Sequence, residues 1–182
     1  MTGFTRPFFD RFPKFVSCNG QSTVSKSERM NTTITTYLTF QGNCREAMTF
    51  YQECFGGKLF FQTIGESPLG NKLPDDMKQY ILNATLINGK LNIVASDMVP
   101  ESGLLKGNSV SLLLCCSSAA EASEYFIKLS ADGHATDPLM HTFWGSLFGG
   151  LVDKFGNNWL LSCKDFKRKN SRQSALKLIA DG

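Results

Sequence analysis

The chain has 182 residues, 42% of them apolar and 19% charged, and a formal net charge of +3. That length suits one folded domain with its own core, and no apolar run approaches the 18 residues of a helical membrane span. Between residues 31 and 163 there are 8 Lys/Arg against 12 Asp/Glu, so the basic excess lies in the two ends; a body of acidic balance lacks the positive stripe that phosphate neutralisation needs, which argues against nucleic-acid binding by the core.

The first thirty residues differ from the rest. Phe4, Phe8, Phe9, Phe12 and Phe15 alternate with charged residues and prolines, and a Ser/Thr-rich stretch follows. A secretory signal requires a continuous apolar region, which this segment lacks. Met30 stands directly before the first strand-like run. Residues 1–30 are therefore expected to be a disordered or non-native extension of a domain that starts near residue 31.

From 34 to 40 the alternation of β-branched and aromatic residues predicts a half-buried strand. A helix follows, with Asn43 as its N-cap and Glu46 completing a capping box, while Ala47, Phe50, Tyr51 and Cys54 recur at helical spacing. Gly56 and Gly57 end it. Residues 58–64 read as a strand, 65–76 as a loop, and 80–87 and 91–95 as a hairpin around Asn88-Gly89, where a type I′ turn is expected.

The same order returns about 75 residues later. A strand at 110–116 precedes a Ser118 cap with Glu121 three positions on. Ala122, Tyr125, Phe126 and Leu129 then repeat the helical stripe up to Gly133. A strand near Ala135, a loop containing Pro138, and strands at 147–152 and 158–163 complete the second unit, with Asp153 expected to initiate the turn between the last two. Glu46 maps onto Glu121, Ala47 onto Ala122, Phe50 onto Tyr125, Tyr51 onto Phe126 and Cys54 onto Leu129, all at one offset.

The expected fold class is therefore α+β, built from two tandem βαβββ modules at about 31–98 and 108–164, followed by a basic tail at 165–182. A sheet with one helix on one face leaves its other face bare, so the two bare, concave faces are expected to share an interior and form a cleft. The six cysteines show no CxxC pair and no clustering with the two histidines, His134 and His141. No zinc site or redox pair is expected, and this usage suits reduced thiols in a cytoplasmic protein.

The stretch Tyr37-Leu38-Thr39-Phe40-Gln41-Gly42-Asn43, with Phe55-Gly56-Gly57 after it, resembles the opening of PhnB-like members of the vicinal oxygen chelate superfamily, which includes glyoxalases, bleomycin-resistance proteins and dioxygenases. Phe143-Trp144-Gly145, Phe148-Gly149 and Asp153-Lys154-Phe155-Gly156-Asn157 resemble that subfamily's closing pattern. The resemblance implies the paired-module fold, a homodimer and, in metal-dependent members, a divalent ion held by His, Gln or Glu. Thr36, Asn83 and Ser111 fall on the first three of those ligand positions and Leu160 lies near the fourth. Hydroxyls, an amide and a leucine are poor donors for a catalytic metal, so no metal or other cofactor is expected. Nor is the methyltransferase label attached to some PhnB-like sequences supported, because there is no glycine-rich strand-to-helix turn of the kind that cradles a nucleotide-like cofactor.

Two function classes remain open. The first is a small-molecule binding protein without the usual metal site, its cleft lined by Thr36, Asn83, Ser111, His141, Phe143 and Trp144, with no nucleic-acid or membrane partner. The second is a metal-dependent lyase, isomerase or dioxygenase of the superfamily, which would need His, Glu or Gln side chains to converge in the cleft.

Overall fold

The computed structural model describes residues 33–68, 70–100, 102–143 and 145–164. The expected leader at 1–30, the basic tail at 165–182 and Trp144 lie outside the described residues.

The first module runs β1 (Thr36–Thr39), α1 (Cys44–Phe55), β2 (Lys58–Thr63), β3 (Ile81–Asn88) and β4 (Leu91–Ser96), with two short 3-10 turns between β2 and β3. Its sheet has the order β1-β4-β3-β2, with β1 parallel to β4 and the other pairs antiparallel. The second module repeats this as β5 (Leu112–Cys116), α2 (Ala119–Leu129), β6 (His134–His141), β7 (Ser146–Val152) and β8 (Asn158–Lys164), in the order β5-β8-β7-β6. Both modules are βαβββ, as the repeat in the sequence predicts. One further detail recurs in both. A side chain on Gly57 would meet the Ile87 carbonyl at 2.4 Å and one on Gly133 the Val152 carbonyl at 2.3 Å, so the segment after each helix needs glycine to pass over the end of the third strand of its own sheet.

Local chemistry departs from expectation at three places. The Asn43 side chain makes no cap bond. The Asp97 carboxylate, just past β4, takes that place by accepting from the backbone N–H groups of Gly42 and Cys44, both at 2.9 Å, and from that of Ile81 at 2.9 Å. Its charge lies at the positive end of α1, and Glu46 lies 3.7 Å from the Lys154 ammonium instead. The first hairpin is centred one residue later than expected, because Asn88 pairs with Leu91. Of the turn residues only Gly89 has positive φ, at 58°, the pattern of a type II′ turn; the Asn88 amide instead donates to the Phe55 carbonyl at 2.7 Å and fastens the end of α1. Finally, Pro138 lies within β6. It is tolerated because β6 is an edge strand whose pairing with β7 is interrupted between Ala135 and Met140.

The α2 start follows the capping prediction closely. Ser118 Oγ accepts from the Glu121 N–H at 3.1 Å, while the Glu121 carboxylate accepts from the Ser117 N–H at 2.7 Å and the Ser117 hydroxyl at 2.6 Å.

The largest correction concerns how the modules meet. The shared interior lies on the helix side of both sheets. One core joins Tyr51 and Phe55 of α1, Leu129 of α2, Ala84, Leu86 and Ile93 of the first sheet, and Leu151, Trp159 and Leu161 of the second. Rings interlock across the boundary, with Tyr51 and Phe55 against Trp159 at centroid distances of 5.5 and 5.6 Å and Phe55 against Tyr125 at 5.3 Å. Each large side chain buried in this way contributes about 1.5–3 kcal/mol. The faces expected to meet carry amides and hydroxyls that would have to leave water without assured partners, at a cost of about 1–3 kcal/mol each. Within the chain, the aromatic helix sides therefore win and both concave faces stay open.

Candidate functional site on the open sheet faces

Alternation along each strand assigns every side chain to the helix side or to the open face. Thr36 is in register with Ile93, and Leu38 with Ala95, both on the helix side; Tyr37 is in register with Val94 on the open face. Thr36 accordingly lines a cavity of about 680 Å3 between the modules, together with Phe55, Tyr125, Trp159 and Lys90. Asn83 does not line that cavity, which also reaches Leu113 and Cys115.

The open face of the first sheet is ordered in rows. Gln62 is in register with Asn83, and Phe60 with Thr85 and, through it, Val94 and Tyr37. Tyr37 and Phe60 are 54% and 57% exposed, large values for aromatic side chains in a sheet. The Tyr37 hydroxyl donates to Ser96 Oγ at 2.9 Å, and the same oxygen accepts from the Met98 N–H at 3.2 Å. Asn83 Nδ2 reaches Thr85 Oγ1 at 3.5 Å. Lys58, at the corner where β2 begins, carries the one charge of this face among the described strand residues.

On the second sheet the open face holds Leu113, Leu160 and Gly150 in one row and Cys115, Ser162, Phe148 and Met140 in the next. Leu113 and Met140 are more than half exposed. Asp137 lies over Gly150, where a side chain would meet its carboxylate at 3.1 Å.

The predicted site residues thus separate. Asn83 lies on the open face of the first module. Ser111 is exposed directly before β5. His141 is exposed on the edge strand β6, in register with Leu147, which is buried on the helix side. Phe143 is 90% exposed in the turn that Thr142 closes by accepting from and donating to Ser146. Tyr37, Phe60, Gln62 and Thr85 escaped the sequence reading. Parity could have found Tyr37, since Thr36 shares its face with Leu38 and Phe40, the latter 1% exposed; Gln62 needed the cross-strand register.

A second constellation is buried at the module boundary. The Asp153 carboxylate is 3% exposed and accepts from the N–H groups of Phe155 and Asn157 at 2.9 Å, as expected of a turn initiator. It also accepts from the Tyr51 hydroxyl at 2.6 Å and the Trp159 indole at 2.7 Å, and Asn157 donates to Tyr51 Oη at 2.6 Å. Burial, and then the adjacent carboxylate, hold the Tyr51 phenol well above its ordinary pKa. Among the described residues no buried side-chain polar atom is left unpaired, and this cluster is a strut between the modules.

The divalent ion implied by the superfamily fold calls for converging His, Gln or Glu donors. Among the described residues no three His, Cys, Asp or Glu side chains come together as a metal site would need. Thr36 and Asn83 point to opposite sides of one sheet, so those two ligand positions cannot converge within the chain.

Comparison with known proteins places this architecture. Residues 32–162 match the family model described as 3-demethylubiquinone-9 3-methyltransferase. The chain is 30% identical to Protein YjdN of Escherichia coli over 138 residues, covering 69% of this chain and 91% of that protein. Among solved structures, protein PA1353 of Pseudomonas aeruginosa is 37% identical with a TM-score of 0.64, covering 72% of this chain and 96% of that one. A Bacillus cereus protein described as a putative 3-demethylubiquinone-9 3-methyltransferase, PhnB protein, is 26% identical with a TM-score of 0.58, covering 72% and 99%.

Proposed function

The chain belongs to this PhnB-like family, described as 3-demethylubiquinone-9 3-methyltransferase, and on that footing we propose that it binds a small molecule on the open face of its first sheet, without the superfamily's usual metal. The observation that carries this reading is the pairing of exposed aromatic rings, Phe60 and Tyr37, with the adjacent amides of Gln62 and Asn83 on a face that the chain itself leaves uncovered. An apolar surface with a few convergent polar groups is the usual make-up of a ligand site.

Enclosure comes from a second copy. Each chain exposes Tyr37, Phe60 and Ile87 on one sheet and Leu113 and Met140 on the other, and monomeric proteins seldom leave such apolar patches bare. A homodimer in which the first sheet of one protomer faces the second sheet of its partner covers both and makes two equivalent clefts. Methyl transfer forms no part of the proposal. The family description alone carries it, and the turn from β1 into α1 has a single glycine, Gly42, where a nucleotide-like cofactor needs a glycine-rich cradle.

The test is native mass spectrometry of the full chain after equilibration with the small-molecule fraction of a cell extract, beside elemental analysis after incubation with Mn, Fe, Ni and Zn. A dimer carrying a non-metal adduct that Asn83→Ala abolishes is the expected result. Stoichiometric metal held through dialysis would instead put a metal-dependent lyase, isomerase or dioxygenase in first place.

A further inference from the structure

The open face of the first sheet differs from an ordinary solvated sheet face in how its polar groups are distributed. Its charge is confined to Lys58 at one corner, while Gln62 and Asn83 stand side by side on β2 and β3. Tyr37 and Ser96 satisfy each other at 2.9 Å. The two carboxamides do not. Among the described residues the Gln62 side chain takes no hydrogen bond, and Asn83 makes a single one, at the limiting length of 3.5 Å to Thr85. Two neighbouring carboxamides with spare N–H and C=O groups offer a donor and an acceptor side by side. That array matches a ring edge that presents the reverse pair, as a carboxamide matches a nucleobase edge.

Phe60 occupies the next row and is 57% exposed, so its ring face is available to a planar ligand whose edge reaches the carboxamides. A carboxylate or phosphonate held beside Gln62 and Asn83 would lose its hydration with Lys58, the one charge of the face, standing beyond Phe60 two rows away, and a poorly paired ion in such a place is costly. Resting on the small-molecule reading above, we infer that the ligand class is a neutral, planar ring carrying a cis-amide (lactam) edge, stacked on Phe60 and held by Gln62 and Asn83.

Three bicyclic probes of similar size and different charge test this on the isotopically labelled full chain. They are 2-quinolinone as the neutral lactam, 2-naphthoate as the anion and 2-naphthylmethylammonium as the cation. The readout is the side-chain amide signals of Gln62 and Asn83 in proton–nitrogen correlation spectra. The lactam is expected to shift both signals and to bind at least about ten-fold more tightly than either ion, with that advantage lost in Gln62→Ala and Asn83→Ala. Equal or tighter binding of 2-naphthoate or the ammonium probe at the same residues would overturn the ligand class while leaving a binding face in place. If none of the three shifts any signal of this face, the ligand class and the binding reading fall together.

Discussion

At the scale of the single residue, burial decides the chemistry of the cysteines. Burial raises the Cys54 and Cys116 thiols to about 11, and Glu53 and Glu121 respectively reinforce the rise, so neither holds a useful fraction of thiolate at neutral pH. Cys115, the next residue along β5, points to the open face and is exposed. Because the proposed dimer would cover this face, the comparison belongs to the single chain: at dilutions where light scattering shows a monomer, iodoacetamide at pH 7.5 is expected to label Cys115 well before Cys54 or Cys116, as peptide mass mapping of a time course would show. Comparable labelling of Cys116 would contradict its placement on the helix side. Adjacent residues of the same type thus acquire different reactivity from strand parity alone.

At the scale of the element, the two helices begin in physically different ways although their sequences look alike. The α2 cap is local, and removing it with Ser118→Ala is expected to cost about 1 kcal/mol in denaturant unfolding. The Ser117 hydroxyl and then its N–H hold Glu121 below the ordinary carboxylate range. A depressed carboxylate stabilises the folded state above its unfolded value, about 4.3 for Glu, and that contribution disappears as pH falls through the lower folded value. Glu121→Gln should therefore flatten the acid side of the stability profile in this window. The α1 cap depends on Asp97, which is 53 residues distant from Cys44 and also holds Ile81. Loss of that carboxylate releases three backbone donors at once, so Asp97→Ala is expected to destabilise the protein by about 2–4 kcal/mol, more than Ser118→Ala does. Equal costs for the two substitutions in urea melts would refute the long-range cap.

At the scale of the whole molecule, the modules are joined by an aromatic interior and by the Asp153 strut. Tyr51→Phe keeps the ring packing but leaves Asp153 and Asn157 each short of a partner in a buried place. It is expected to cost about 1–3 kcal/mol, and a double-mutant cycle with Asp153→Asn should show coupling of at least about 0.5 kcal/mol. Additive losses would mean that the two groups act separately. This rigid centre leaves both open faces outward, so in the proposed reading each cleft is completed by another copy of the chain.

Much of this organisation was legible in the residues themselves. Periodicity and the single offset relating Ala47, Phe50 and Tyr51 to Ala122, Tyr125 and Phe126 determine two βαβββ modules, because strand and helix periods and cap chemistry are local properties. The Ser118 cap and the Asp153 turn are local for the same reason. Tertiary structure alone decided which faces meet, since that choice weighs aromatic burial around Trp159 against the desolvation of amides such as Asn83, and both terms depend on surfaces far apart in the chain. Distance in sequence likewise hid the Asp97 cap and the pairing of Gln62 with Asn83. It also separated Thr36 from Asn83, for one residue of strand register carries a side chain from one face of a sheet to the other.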